Sequence, residues 1–343
     1  MNVLSNYIPH TVNTGSWLTA YTLNELKARV TDQRIVLPIC SLGTPFWELA
    51  SLGEFVLPPL YQEALDATLK RGIVAQIQRC FPSYEGTREA SNCRAVVEVV
   101  EMPRVRHAPP RKPRVLSFSV DTAVEEHGPH LPLATDTIQS YLALSRLANE
   151  IDGFLVGPPV EYGHLTWGLP FGMSIDITPP LLTRYVTGFA NAMQDWLQPE
   201  AMYVVDVHGS IVHRTAIIDG LKASSVERFA FRWLYDPIVE FAGDRGDQHA
   251  GGVETAMVEL AGSDLIDRRW WPARIDELQA QQMDLETAIK LTPDLTRFIE
   301  HAESHSLNGI VGDVRNYYNV DASTMLARML EVTRADLKKL AGV

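Results

Sequence analysis

From residue 115 onward, short apolar runs rich in β-branched and aromatic residues alternate with stretches of helical periodicity. That order is satisfied by a parallel sheet with helices on both faces, because parallel strands need crossover connections that cover the sheet. Val115 to Val120 predicts a strand, and residues 137–151 a helix whose apolar stripe starts at Ile138, Tyr141 and Leu142. Phe154 to Val156 predicts a second strand, stopped by Gly157-Pro-Pro159. Thr178-Pro-Pro180 opens the next helix, with Thr178 as its N-cap and proline in its first turn, and this helix runs to about Leu197. Met202 to Val205 is an apolar strand ending at Asp206-Val-His208, Phe229 to Tyr235 a further strand, Val253 to Leu260 a helix, and Ala322 to Leu340 a long closing helix.

Upstream the order is less regular. Arg34 to Ile39 and Ala95 to Glu101 predict strands, and the pattern from Pro59 to Arg71 predicts a helix. Four prolines within residues 103–113 mark a boundary. We therefore expect residues 1–110 to form an N-terminal extension packed on, or continuous with, a core domain of residues 111–343.

Several function classes are disfavoured. A net charge of −12 lacks the concentrated Lys and Arg that a nucleic-acid groove needs, and the one basic cluster, Arg104 to Arg114, is a proline-rich solvated stretch. No apolar run reaches the ~18 residues that span a bilayer. Met1 to Leu18 carries no signal-peptide pattern. Cys40, Cys80 and Cys93 form neither a disulfide framework nor a zinc ribbon and read as structural thiols. A cytoplasmic location is the expectation.

The chemistry concentrates in residues 124–137. Pro129 and Pro132 remove backbone donors and Gly128 permits a turn, so this segment reads as a rigid loop rather than a helix. It presents Glu125, His127 and Asp136, and imidazole with carboxylate is the usual ligand set of Zn, Mn and Fe. Extended backbone points Glu125 and His127 to one side, and Asp136 has two oxygens with which to bridge two ions. The competing reading makes Asp136 an N-cap and His127 and His130 surface residues. Both this loop and His208 follow apolar strands, and in such sheets ligands collect beyond the strands' carboxyl ends. His208 alone is equally well read as a satisfied buried imidazole. A third cluster is His249-Ala-Gly-Gly-Val-Glu-Thr255, in which Glu254 is either a ligand or a carboxylate at a helix N-terminus, and His249 has the pKa of a proton carrier. Trp167, Trp270 and Trp271 read first as packing residues. Ser210 lacks a nucleophile elbow, which argues against a serine hydrolase.

Together these clusters resemble the creatininase (creatinine amidohydrolase) family. Glu125-Glu-His-Gly-Pro-His-Leu-Pro-Leu-Ala-Thr-Asp136 is similar to the family's first motif, departing mainly at Glu126. His249-Ala-Gly-Gly-Val-Glu-Thr255 matches the third, and Gly309-Ile-Val-Gly-Asp313 resembles a C-terminal segment. Of the second motif only His208-Gly209 is recognisable; a glutamate that creatininase carries two residues later is Ser210 here. The resemblance covers about residues 115–340. It implies a three-layer α/β/α sandwich around a mainly parallel sheet, two divalent metal ions (Zn, Mn or Fe) and hydrolysis of amide C–N bonds.

By position, the resemblance implies that Glu125 and His208 hold one metal and His127 the other, with Asp136 bridging and Glu254 completing the second site. His249 is the implied catalytic residue, passing protons. Trp167, His164 and Ser210 are candidates for substrate binding. The implied partner is a small-molecule amide, in a closed homo-oligomer of the kind relatives form, often a hexamer. The alternatives are a peptidase-like or biosynthetic hydrolase acting on a modified peptide, and a non-catalytic partner subunit that keeps the fold.

Overall fold

Four parallel strands carry the candidate chemistry. They are β5 (Val115–Ser119), β6 (Phe154–Val156), β7 (Ala201–Asp206) and β8 (Phe229–Trp233), in the order β6-β5-β7-β8. Residues 22–30, 33–81, 95–109, 111–165, 167–244 and 246–343 are described by a computed structural model. Alternation along β5 and β7 divides their side chains between two cores. Leu116, Phe118, Met202 and Val204 enter one apolar cluster, and Val115, Tyr203 and Val205 enter the other. On the first side lies α5 (Pro179–Leu197), which buries Leu182, Tyr185, Val186, Phe189 and Met193. On the second lie α4 (Thr135–Glu150), α7 (Gly252–Ala261) and α11 (Ala322–Ala341). The result is helix, sheet, helix, with every strand pair parallel, as expected.

A second parallel sheet is built from the N-terminal part of the chain. Its centre is β1 (Arg34–Cys40), flanked on one side by β4 (Val96–Glu101) and on the other by the two-residue strands β2 (Phe55–Val56) and β3 (Leu60–Tyr61). The expected helix over residues 59–71 is displaced. Leu60 and Tyr61 pair with β1, and α3 (Ala67–Arg79) begins where the Asp66 carboxylate accepts from the Thr68 and Leu69 amides. Ile35, Leu37, Ile73 and Ile77 share one cluster with Tyr185 and Phe189 of α5. The Tyr162 hydroxyl donates to the Pro58 carbonyl at 2.6 Å, tying this sheet to the segment after β6.

Two local expectations change. Thr178 does precede α5, but its hydroxyl accepts from Gln76 of α3 instead of capping the helix. Asp136 is not an N-cap; Ala134 holds that position, and the Asp136 carboxylate turns inward. Burial pushes the Cys40 and Cys80 thiols up to about 12 and about 11, consistent with structural roles, while Cys93 and residues 1–21 lie outside the described residues. No helix among the described residues is long and apolar enough to cross a membrane.

Candidate metal centre

Strand register brings the distant motifs together. Ser119 of β5 pairs with Val205 of β7, so the loop carrying Glu125 and the loop carrying His208 leave adjacent strands at the same edge. The third motif arrives from elsewhere. His249 and Val311 exchange both backbone hydrogen bonds at 2.9 Å, which pins it to the Gly309–Asp313 segment. Gly252 is required there, because a Cβ would lie 2.0 Å from the Tyr317 backbone nitrogen. Glu254 then falls in the first turn of α7, its carboxylate accepting from the Ala250 amide at 2.6 Å.

Six predicted residues converge. Asp136 divides its oxygens between two histidines: Oδ1 is 3.3 Å from His127 Nε2 and Oδ2 is 3.3 Å from His208 Nδ1. Glu125 Oε2 lies 2.9 Å from His208 Nδ1, and Glu254 Oε2 lies 3.7 Å from His127 Nε2. The His249 ring packs against His127 with centroids 4.3 Å apart, and its Nδ1 is 3.9 Å from Glu125 Oε1. His127 and His130 are fully buried, so neither is a surface loop residue. The cluster reaches solvent mainly at His208, whose side chain is 11% exposed.

Each inward imidazole is held by its other nitrogen. His127 Nδ1 donates to the Glu125 carbonyl (3.0 Å), His208 Nε2 to the His164 carbonyl (3.0 Å) and His249 Nε2 to the Glu126 carbonyl (2.7 Å). These bonds fix the tautomers so that the lone pairs of His127 Nε2, His208 Nδ1 and His249 Nδ1 face the carboxylates. That is how metal-ligating histidines are oriented.

The residues fit a divalent cation on electrostatic grounds. Glu125, Asp136 and Glu254 are at most 4% exposed, and no Lys or Arg among the described residues pairs with them. Each ion buried without compensation costs several kcal/mol, so three would consume much of the ~5–15 kcal/mol that holds a domain folded. Against their own burial, the neighbouring carboxylates push His127 up to about 10 and His208 well above its ordinary range. A well deep enough to hold imidazolium suits a divalent cation, and His127 Nε2 has no hydrogen-bond partner. Two overlapping donor groups are present: Glu125, His127 and Asp136, and His127, His249 and Glu254.

The three substrate-binding candidates have partners of their own. Ser210 caps α6 (Ile211–Lys222) by accepting from the His213 amide at 3.3 Å. Trp167 donates its indole N–H to Thr292 at 2.7 Å, and His164 Nδ1 bonds Asp176 at 2.9 Å. Trp271 is buried and stacks on His130, which is packing. A cavity of about 790 Å³ near Leu69, Arg104 and Trp196 contains none of the cluster residues. Large cavities are the default place to look for function, but the buried histidines and carboxylates of the three motifs are not among its lining residues.

Sequence reasoning missed two supports. Thr122 sits between Glu125 and Asp136. His213, on α6, donates from Nε2 to the Val120 carbonyl (2.9 Å) and accepts at Nδ1 from the His164 amide (3.1 Å), steadying the carbonyl that orients His208. Burial keeps its ring neutral, down to about 3, as that tautomer requires. Gly163 leaves room for both, since a Cβ there would lie 2.4 Å from His213 Cε1 and 2.6 Å from the Thr122 methyl. Gly163→Ala should therefore destabilise the fold by about 1–3 kcal/mol, as overpacking does, read as a lowered urea midpoint.

The family model for creatininase, creatinine amidohydrolase, matches residues 105–335. A mycofactocin precursor peptide peptidase from Mycobacterium tuberculosis (strain CDC 1551 / Oshkosh) is 26% identical over 158 residues, 43% of this chain and 59% of the relative. Its counterpart in strain ATCC 25618 / H37Rv matches equally, so the chain spans 59% of the length of these curated relatives. Two solved structures share the fold at a TM-score of 0.50. One is a Bacteroides fragilis NCTC 9343 protein assigned as a creatinine amidohydrolase, 17% identical, over 68% of this chain and 91% of its own. The other is a glutamate-to-glutamine creatininase mutant complexed with creatine, 15% identical, over 66% and 91%.

Proposed function

Because the chain belongs to the creatininase family, we propose that it is a metal-dependent amidohydrolase that cleaves a C–N bond at the Asp136 cluster. The observation that carries this reading is Asp136, whose two oxygens face two different histidines within a group of buried carboxylates that no Lys or Arg among the described residues pairs with. Glu125, His208 and Asp136 would hold one divalent cation, and His127, Glu254 and Asp136 the other. When bound, such cations supply Lewis-acid polarisation of a carbonyl and lower the pKa of water toward neutrality.

The chain's own residues supply the proton path. His249 is neutral over the working range, since burial and then His127 push it down to about 4. Its Nδ1 lone pair faces Glu125, so it can take a proton from the attacking water. The same nitrogen then delivers that proton to the leaving amide nitrogen as the C–N bond breaks, and the products are a carboxylic acid and an amine, which exchange the acid's proton to give carboxylate and ammonium. The Glu126 carbonyl holds the ring through Nε2 during both transfers. Trp167 and His164 lie in the connection between β6 and α5, where we place contacts to substrate, and we take residues 1–110 as an extension packed on, or continuous with, the core.

Cleavage within a modified or precursor peptide is the second reading, favoured by the similarity to a precursor peptide peptidase. A panel of cyclic amides, formamides and short peptides separates the two. Chelator treatment should abolish turnover, and Zn, Mn or Fe should restore it. The loaded protein should also gain about 2.7 kcal/mol of stability at a metal concentration 100 times Kd, read as a higher melting temperature. Turnover that survives complete metal removal sinks the reading, and stoichiometric metal without turnover on any amide points to a non-catalytic subunit.

A further inference from the structure

Four polar atoms from four different residues meet on the His208 side of the cluster. The Thr122 hydroxyl donates to Glu125 Oε2 and lies 2.8 Å from Asp136 Oδ2. His208 Nδ1 is 2.9 Å from the first of these oxygens and 3.3 Å from the second. A hydroxyl has one hydrogen, so Thr122 can donate to only one carboxylate at a time. The other close oxygen pair needs positive charge beside it. Thr122 is also fixed from behind: it is 1% exposed, and its methyl fills the space that Gly163 leaves beside His213. A single rotamer thus points the hydroxyl at both carboxylates.

The His127 side is held differently. Glu254 Oε2 accepts from the Ala250 amide, Gln139 reaches Glu254 Oε1 at 3.4 Å, and the facing atoms stand 3.3 and 3.7 Å from His127 Nε2. No hydroxyl joins its two carboxylates among the described residues. The two halves are therefore unequal in how firmly their ligand atoms are preset.

We propose that Thr122 is a positioning residue that ties Glu125 to Asp136 and makes the His208 half the tighter of two cation sites. The assignment rests on the metal reading above. Presetting ligand atoms removes an ordering cost from binding, and partners that orient ligands are worth about 10–100-fold in metal affinity. Because the tie joins the oxygens on the His208 side only, its loss should weaken that site and spare the other.

The test is calorimetric titration of metal-free full-length protein with Zn²⁺, and separately with Mn²⁺, for wild type, Thr122→Val and Thr122→Ser. Wild type should bind two equivalents with unequal affinity. Thr122→Val, which keeps the shape and removes the hydroxyl, should lose about 10–100-fold at the tighter equivalent only, and Thr122→Ser, which returns the hydroxyl without the methyl that fixes its rotamer, should restore part of it. Melting temperatures of the metal-free proteins report the stability cost of the lost hydroxyl by itself, and a general packing defect would weaken both equivalents alike. Wild-type-like binding by Thr122→Val, or equal weakening of both equivalents, overturns the assignment alone. A wild type that takes up no cation overturns the metal reading and this assignment with it.

Discussion

Asp136→Ala is expected to lose both cations and essentially all turnover. The residue is 2% exposed and supplies one oxygen to each half of the cluster, so its removal opens both halves at once. The fall in kcat/KM should exceed about 100-fold, the upper end of the loss that removing only an outer partner of a metal ligand causes. The fold itself should survive. Against its own burial, His127 and His208 hold the Asp136 carboxyl well below its usual range, so its removal costs some stability, which relief of its repulsion with Glu254, pushed up to about 7 by burial and this neighbour, partly offsets. Circular dichroism should stay native while elemental analysis reports metal far below two equivalents. Unchanged metal content with full activity would end the bridging assignment.

The site was legible in the sequence because its donors occupy short segments at strand ends, where local spacing and topology agree. Glu125 and His127 stand on one loop with Asp136 in the first turn of the helix that follows it, His208 comes just after β7, and the glycines before Glu254 announce a turn. The groups that hold these donors were not legible. His213 is an ordinary residue in the first turn of α6, and it acts through the His164 amide, 49 positions away. Thr122 carries no signal beyond its distance from Glu125, and its role depends on a packing gap at Gly163. Ser210 stood out in the sequence for the glutamate that creatininase carries there, yet its hydroxyl is engaged as an N-cap.

The same contrast holds in the fold. Strands of the Val115 sheet are long enough for alternation to register, and Leu116 and Phe118 face away from Val115 as period 2 requires. β2 and β3 contribute two residues each, too few for any period, so their pairing with β1 had no sequence signature. The Pro59–Arg71 stretch reads as helical because its apolar spacing continues across Asp66. The capping carboxylate there, rather than the periodicity, sets where α3 begins.

His249→Ala should separate proton transfer from metal binding. If the ring carries the proton, the variant keeps two cations and a near-normal KM while kcat falls by about 10²–10⁴, the usual worth of a positioned acid or base. The geometry also allows His249 to join His127 and Glu254 around an ion, and in that case metal content would drop with activity. Added imidazole should distinguish them further, since a freed pocket can admit a ring that restores kcat without changing metal stoichiometry. The pH dependence has a defined sign. Burial, followed by the positive charge of His127, pushes His249 down to about 4, and a cation in the cluster acts in the same direction. The wild-type ring is therefore proton-free and competent through the neutral range, and its share of the activity is lost only on the acid side, below the range of a free imidazole. In the rescued variant the acid limb should move up toward the pKa of free imidazole, because the added base lies outside the ring's buried, hydrogen-bonded seat on the Glu126 carbonyl. A rescued profile that coincides with wild type, or metal loss equal to the loss in kcat, would remove His249 from the proton path.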